Sequence, residues 1–556
     1  MNQTRLFLIF AWLMVATLLW MEWGKEKAAP AASQATAVVD SAAGVPTAIS
    51  PAPSATGAIP VAPGNMAAAP SVVSNSRGEA VTVDTDVLHV VLDGGELRQA
   101  DLLRYPALAA ADSEPVRLLA DDPAHYFVAQ TGWSNADRVA FQPEGAQRAY
   151  TLADGGREIA VPFVWTGANG VSIRRHYVFQ RGSYVVQVRD EVRNAGIAPW
   201  TGYVTRSLTR VPHVIASSGP MNAEKYSFQG AAWFSQDGYE KRKYDDYADG
   251  ALDKQVTGGW VGMLQHHFFT AWIPQQDQAA LYALNQQGGR YTIEARGPAF
   301  NVPAGGKAET SARLWVGPKL VKQIEAQQVK GLDRAVDFSS YGWAATLAGW
   351  LFWVLEKLHG LLGNWGFAIV GLVVLIKALM YPLSAAQYKS MAKMRKFQPR
   401  IKQLQERYGD DKQKLQMAMM ELYKKEKINP VGGCLPILVQ MPVFLCLYWM
   451  LSESVELRHA PWIGWITDLT ARDPYFILPA INLAVMWFTQ KLAPQAPGMD
   501  PMQQKMMQYM PVVFGVLFAF MPAGLVLYWI TNGGLGLLQQ WWMTRRYAEE
   551  PVKATA

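Results

Sequence analysis

One apolar stretch of this chain is long enough to enter a membrane and carries a lysine near its end. It runs from Gly366 through Val373-Val-Leu-Ile to Lys377, then Ala-Leu-Met-Tyr-Pro382. A charged side chain at membrane depth is costly and faces protein or a water-filled cavity when it is kept there. The later apolar segments hold no Asp or Glu in their interiors. They do hold amides and hydroxyls: Gln440, Asn482, Thr489, Gln490, Thr531 and Asn532. Two readings fit Lys377. It lies five residues before Pro382, roughly 8 Å from the end of a helix, a depth from which lysine can snorkel to the surface. Alternatively it faces a wet pocket within the bilayer, and the polar residues of the other spans favour that pocket.

The 556 residues have a mean hydropathy of zero, an average over two unlike halves. Up to about residue 340 the chain is mixed and polar after one initial apolar run; beyond it, long runs rich in Trp, Met, Phe and Leu dominate. This is the pattern of a polytopic α-helical membrane protein with a large extramembrane domain. Residues 1–23, with Arg5 ahead of the apolar run and Trp20 and Trp23 at its far edge, read as an uncleaved transmembrane anchor with a cytoplasmic N-terminus. Residues 24–77 read as a flexible tether: from about Ala28 to Ser76 they are dominated by Ala, Pro, Ser, Val and Gly with almost no charge, a composition that builds no core.

From 78 to 318 short alternating runs such as Tyr184-Val-Val-Gln-Val-Arg189 are punctuated by Asp93-Gly-Gly95, Asp154-Gly-Gly156 and Gln287-Gly-Gly289. This predicts an all-β sandwich, large enough at roughly 240 residues to bury its own core. Residues 319–364 are a connector ending in an interfacial amphipathic helix, on the spacing of Trp343, Leu347, Trp350, Val354 and Leu358. Spans follow at 365–383, 432–451, 475–491, 507–521 and 524–542, the last four within a region at 431–544. With the N-terminal anchor they make six.

Between Tyr381 and Gly432 stand twelve Lys and Arg against five acids, and Arg545 and Arg546 follow the last span. The positive-inside rule places that segment and the tail at 545–556 in the cytoplasm, and the β domain outside. Residues 384–430 read as a cytoplasmic helical hairpin. Asp411 caps its second helix and Pro399 is expected to kink or restart its first. Its Met391, Met394, Arg395 and Met419 offer an apolar and basic surface. Packing is the commoner use of such methionines; contact with a client or a ribosome is the sharper one.

Cys434 and Cys446 lie twelve positions apart in one apolar helix, about 18 Å, too far to bridge. No Cys/His metal spacing and no phosphate-loop string occur, so no cofactor is expected. His176, His266 and His267 with Asp and Glu could in principle form an acid–base site in the β domain, but surface or core histidines are the commoner case. Six spans also exceed what an anchored carbohydrate enzyme or sugar-binding protein needs. A transporter or channel is the other rival. Against it stand the lack of a second intramembrane charge and of an inverted repeat.

The strings Lys377-Ala-Leu-Met-Tyr-Pro-Leu-Ser-Ala-Ala-Gln-Tyr388, Asn429-Pro-Val-Gly-Gly-Cys-Leu-Pro436, Gln440-Met-Pro442, Asp500-Pro-Met-Gln-Gln-Lys505 and Gly524-Leu-Val-Leu-Tyr-Trp529 closely resemble the YidC membrane protein insertases. Gly258-Gly-Trp-Val-Gly-Met-Leu-Gln-His266 and Leu314-Trp-Val-Gly-Pro318 resemble the periplasmic domain of the Gram-negative branch. The resemblance implies a bacterial inner-membrane protein with a five-span core around a hydrophilic groove, open to cytoplasm and lipid and closed to the periplasm. It implies no enzymatic chemistry. Its partners would be nascent membrane proteins, the Sec translocon, the ribosome and signal recognition machinery, and the lipid bilayer, with no specific nucleic acid recognition. The groove's single basic residue, usually arginine, matches Lys377, which keeps the charge but lacks the planar fork. Gln440, Asn482, Thr531 and Asn532 would line the groove, and Tyr528 and Trp529 match positions that touch clients.

Overall fold

The computed structural model describes residues 79–548, except 111, 135–138, 214–223, 225–226, 337, 340, 409–410, 426–434 and 493–500. The expected anchor and tether, Cys434 and the last residues of the tail lie outside the described residues.

Strands run from Val81–Asp84 to Lys307–Pro318 and form two sheets, one of ten strands and one of nine. The alternation read from the sequence is the alternation of burial: along Trp200–Arg210 every second residue is inside. This is the period-two signature of a sheet with one face on a core. Trp260–Leu264 and Phe268–Pro274 are buried along their whole length. Their continuous apolar runs fit strands covered on both faces. The second cover of the nine-stranded sheet is the connector. Arg313 donates to the Gln327 carbonyl at 2.9 Å. Gly331, at φ +73°, lies so close to Phe234 that a Cβ would stand 2.0 Å from its ring, which only glycine permits.

The two sheets share one buried charge cluster. Arg175 is fully buried and grips Asp190 with two bonds of 2.7 Å. From the opposing sheet, Trp133 Nε1 donates to Asp190 at 2.7 Å, and the Thr131 carbonyl accepts from Arg175 at 2.6 Å. Phe141 closes the guanidinium face at 4.0 Å. A buried ion pair is tolerable when its remaining donors and acceptors are satisfied in this way.

After the short helix α1 (Val321–Glu325) come α2 (Gly342–Leu362), α3 (Trp365–Leu379), α4 (Tyr381–Tyr408), α5 (Lys412–Lys425), α6 (Leu435–Glu453), α7 (Ile477–Leu492), α8 (Pro501–Phe518) and α9 (Ala523–Ala548). α2 is the helix expected at the end of the connector, but it has a different inner face. Ala344, Ala348, Phe352 and Leu355 are buried, whereas Trp343, Trp350 and Trp353 are exposed. The sequence stripe weighted the largest apolar residues. The protein core takes two alanines with Phe352 and Leu355, and the tryptophans point away from it.

Among the described residues no single helix is long and apolar enough to cross a membrane; α3 and the start of α4 pass together, bent by 62°. The expected second span at 365–383 is therefore broken at Met380. Pro382 lies in the first turn of α4, where its missing N–H costs nothing. Pro399, expected to kink or restart that helix, lies inside a continuous α4. Asp411 Oδ1 accepts from Lys414 N at 3.1 Å and caps α5.

The loop between α6 and α7 is a cap built on two carboxylates. Asp468 Oδ1 accepts from the backbone of His459 (3.1 Å) and Thr470 (2.8 Å). Asp473, buried, accepts from Trp465 Nε1, Tyr475 N and, at 2.7 Å, Leu478 N in the first turn of α7. The α8–α9 turn joins it through Ala523 N to Ala471 O (2.7 Å) and Gly524 N to Leu469 O (2.8 Å). The α2–α3 turn joins through Asn364, whose amide donates to Pro461 O and Trp462 O. The β domain sits on the same cap. His266 Nε2 donates to Ser452 O (2.8 Å), Ser227 Oγ to Glu453 (3.2 Å) and Arg458 to Ala107 O (3.0 Å). Lys322 pairs with Glu356 of α2 at 2.7 Å.

Candidate functional site: a polar cluster among the helices

Lys377 lies in the last turn of α3, just before the break. Its side chain is half-buried, and its Nζ lies 3.9 Å from where a Cβ on Gly536 of α9 would stand. The ammonium therefore rests against a stretch of α9 with no side chain to cover it. Among the described residues no carboxylate lies within ion-pair distance of Lys377.

The amides come from facing helices. Gln440 of α6 donates from Nε2 to Asn532 Oδ1 of α9 at 2.9 Å. Gln440 also reaches the Tyr528 side chain, one turn earlier on α9. Four residues apart on one helix share a face, which is why Tyr528 and Asn532 meet the same glutamine. Trp529 takes the next direction around α9. Its ring lies 4.9 Å from Phe444 and 5.3 Å from Phe518, and its Nε1 is enclosed with no hydrogen-bond partner among the described residues. A polar ring of amides and a phenol thus adjoins an aromatic cluster.

Two expected members behave differently. Thr531 spends its hydroxyl on the Leu527 carbonyl of its own helix at 2.8 Å. Asn482 of α7 is buried; its Nδ2 meets only the Met486 sulfur at 3.7 Å, and its Oδ1 has no partner among the described residues. Close helix approach is made by glycine: a Cβ on Gly533 would stand 2.7 Å from Val485 of α7, and one on Gly515 of α8 2.9 Å from Leu483. Small residues at such contacts let helices associate where hydrophobic exclusion gives no drive.

In the α4–α5 hairpin, Met391, Met394 and Arg395 stand on α4, whose side chains there lie outside the described residues. Met419 of α5 is half-buried, while Met417 and Met420 are exposed. The three histidines assemble no catalytic group. His266 and His267 stack at 3.8 Å against the cap, and His176 sits opposite Arg189 in the sheet. Burial pushes the His266 ring down to about 4, so at neutral pH it is an uncharged donor. Phe444 and Phe518 were not singled out in the sequence, because a phenylalanine in an apolar run carries no signal of its partner.

Residues 80–354 match the model of the YidC periplasmic domain, and residues 357–550 that of the 60Kd inner membrane protein. The chain is 58% identical over 564 residues to the membrane protein insertase YidC of Stenotrophomonas maltophilia (strain R551-3), covering 100% of this chain and 98% of that protein. It is 57% identical over 571 residues to that of Xanthomonas campestris pv. campestris (strain B100), covering 100% and 99%. The chain belongs to the YidC family of membrane protein insertases. A crystal structure of an active YidC insertase overlays with a TM-score of 0.36 at 18% identity, over 83% of this chain and 92% of that one, and carries no weight here. The two-sheet domain is the YidC periplasmic domain, and the helical region from α3 onward, with Lys377, Gln440, Tyr528 and Asn532, falls in the inner membrane protein part.

Proposed function

We propose that this membrane protein insertase passes the polar segments of nascent inner-membrane proteins along a hydrophilic groove lined by Lys377, Gln440, Tyr528 and Asn532. Asn482 and Thr531 stand on its walls, and Trp529 with Phe444 and Phe518 forms the apolar side against which a client's spanning segment moves. The observation that carries the reading is the Gln440–Asn532 bond beside Tyr528, together with the Lys377 ammonium against α9, which has no carboxylate within ion-pair distance among the described residues. Leaving water costs a polar group several kcal/mol when nothing replaces its hydrogen bonds. Amides and a free cation replace part of that hydration. Two unit charges at 4 Å attract by about 4 kcal/mol at an effective dielectric of 20 and by about 1 in bulk water. An acidic residue of a client's translocated tail is therefore drawn to Lys377 far more strongly than to a surface lysine.

The topology supported best has six spans with both termini in the cytoplasm and the β domain in the periplasm. The α2–α3 and α8–α9 turns each bond to the α6–α7 loop, and the β domain bonds to that loop and to the end of α6, which supports their sharing one side. The basic α4–α5 hairpin then faces the cytoplasm, where its methionines and cations meet clients, the ribosome or the signal recognition machinery. Trp343, Trp350 and Trp353 of α2 lie at the outer lipid interface. The insertase would act alone or with the Sec translocon.

The test is site-specific photocrosslinking to a stalled nascent membrane protein. Probes replacing Gln440 or Leu535 should capture the client, and a probe replacing Ile197, on the β domain surface, should not. Equal capture from all three positions overturns the groove.

A further inference from the structure

The β domain and the cap enclose a cavity of about 800 Å³ that the insertion reading does not use. Arg210 and His267 enter its wall from the β domain, and Arg458 and Arg472 from the cap. Leu451 at the end of α6 and Phe520 and Pro522 at the α8–α9 turn complete the wall. Among the described residues none of these three arginines has a carboxylate within ion-pair distance. Arg210 is more than nine-tenths buried, with Phe127 over its guanidinium at 4.7 Å, and Arg458 stands 5.5 Å over Phe268. His267 is equally buried, and its Nε2 has no hydrogen-bond partner among the described residues. The other charges of the wall are accounted for differently. Arg117 is held by Asp101 through bonds of 2.8 and 3.1 Å, Asp122 accepts from the His125 backbone at 2.9 Å, and Glu224 is the second acid.

Arg210 is buried, Arg458 half-buried and Arg472 exposed at the rim. Removing guanidinium charge from water without an anion is costly, and an unpartnered nitrogen on a buried imidazole adds to the cost. A cavity that keeps all of these is built for an anion that enters it. Guanidinium groups fit phosphate best, because two parallel N–H donors meet two oxygens. The place of the cavity selects among phosphates. In the topology proposed above, on which this inference rests, α6 and the α8–α9 turn end at the outer membrane–water boundary. Ile463, Trp465, Tyr475 and Phe476 of the same cap are exposed, as interfacial side chains are.

We infer that the cavity between the periplasmic domain and the cap binds the phosphate of an anionic phospholipid headgroup from the outer leaflet. The bound lipid ties the β domain to the membrane surface over the helices.

The full-length protein in detergent is titrated calorimetrically with dihexanoyl phosphatidylglycerol, with inorganic phosphate and with dihexanoylglycerol. Phosphatidylglycerol should bind saturably and the uncharged diacylglycerol should not. Arg458→Gln with Arg472→Gln should weaken binding about tenfold or more, while Arg458→Lys with Arg472→Lys, which keeps charge and much of the packing, should retain most of it. No saturable binding to the wild type, equal binding of diacylglycerol, or unaltered affinity of the glutamine pair overturns the inference. Binding of inorganic phosphate without phosphatidylglycerol overturns the lipid and leaves a phosphate site. Client insertion by the same variants reads the groove separately. Insertion that survives loss of lipid binding leaves the groove standing, and insertion indifferent to Lys377→Leu removes the groove without touching lipid binding.

Discussion

The Arg175–Asp190 cluster of the β domain and the polar cluster among the helices both hold polar groups away from bulk water, and they treat them in opposite ways. In the β domain Arg175 and Asp190 are enclosed by one another, by Trp133 and by the Thr131 carbonyl. Little capacity is left over, so the cluster can only hold the two sheets in register. Among the described residues of the helices Lys377 has no carboxylate within ion-pair distance, and Asn482 Oδ1 and Trp529 Nε1 have no hydrogen-bond partner. Unspent capacity is a poor way to stabilise a fold and a suitable way to receive a transient guest. The difference separates a part selected for shape from a part selected for passage.

The comparison breaks most visibly at Asp190. Asp190→Ala leaves a guanidinium buried without its anion and should cost the periplasmic domain about 3–5 kcal/mol. Thermal unfolding and limited proteolysis of the full-length protein should show the domain opening, while simple clients are still inserted. Loss of insertion in step with domain opening would join the two regions into one functional unit.

A second, smaller effect belongs to the seam between them. Glu456, in the cap, has its Oε2 shut off from solvent, and burial pushes its carboxyl up to about 7. The native state therefore holds a proton that the unfolded chain releases above the ordinary range near 4.5. The stability from this group is complete below about pH 4.5 and is lost as pH rises through 7. Glu456→Gln should match the wild type near pH 4 and exceed it by about 3 kcal/mol near pH 8. Denaturant unfolding at the two pH values checks it, and a constant difference would remove the carboxyl as the cause. His266, pushed down to about 4, acts in the opposite sense in both proteins and cancels in the difference.

In the helices the effects should appear in function before stability. Lys377→Leu should lower insertion of a client with an acidic translocated tail about tenfold, about 1.4 kcal/mol, and spare one with a neutral tail. Lys377→Arg should preserve both. Equal loss for the two clients at matched protein levels would mean that hydration, not charge, is what Lys377 supplies. The smallest effect is that of the Gln440–Asn532 pair. A double-mutant cycle with Gln440→Leu and Asn532→Leu should give a coupling near 0.6 kcal/mol in unfolding, the average for such bonds between membrane helices. A coupling of several kcal/mol would place this pair with the structural cluster of the β domain.

The two regions also differed in how far they could be read from sequence. Period-two alternation along strands such as Trp200–Arg210 announced the sheets, because one face of each meets a core. α2 was legible in extent but not in orientation, since its alanines and its tryptophans both follow helical spacing and only packing decides which turn inward. The break at Met380 was not legible; Pro382 marks a helix start as readily as a helix end. Lys377, Gln440 and Asn532 stood out as polar positions in apolar surroundings, and Tyr528 through the family resemblance. Their meeting around α9 depends on helix packing that no spacing within one segment encodes. The cavity arginines went unnoticed for the same reason: Arg210 and Arg458 are separated by the whole connector and half the helices.

Asp468 and Asp473 have a consequence for direction. Each carboxylate occupies several backbone N–H groups of the cap, so the loop keeps its form without belonging to a sheet or a helix. Neighbouring turns are fastened to it, and the periplasmic domain sits on top. On the proposed reading, a hydrated segment arriving from the cytoplasm meets a blind end. It advances no further along the helix axes and leaves sideways, where the only available medium is hydrocarbon. A stiff lid thus makes a cul-de-sac out of what would otherwise be a pore, and keeps ions and water from crossing behind the client.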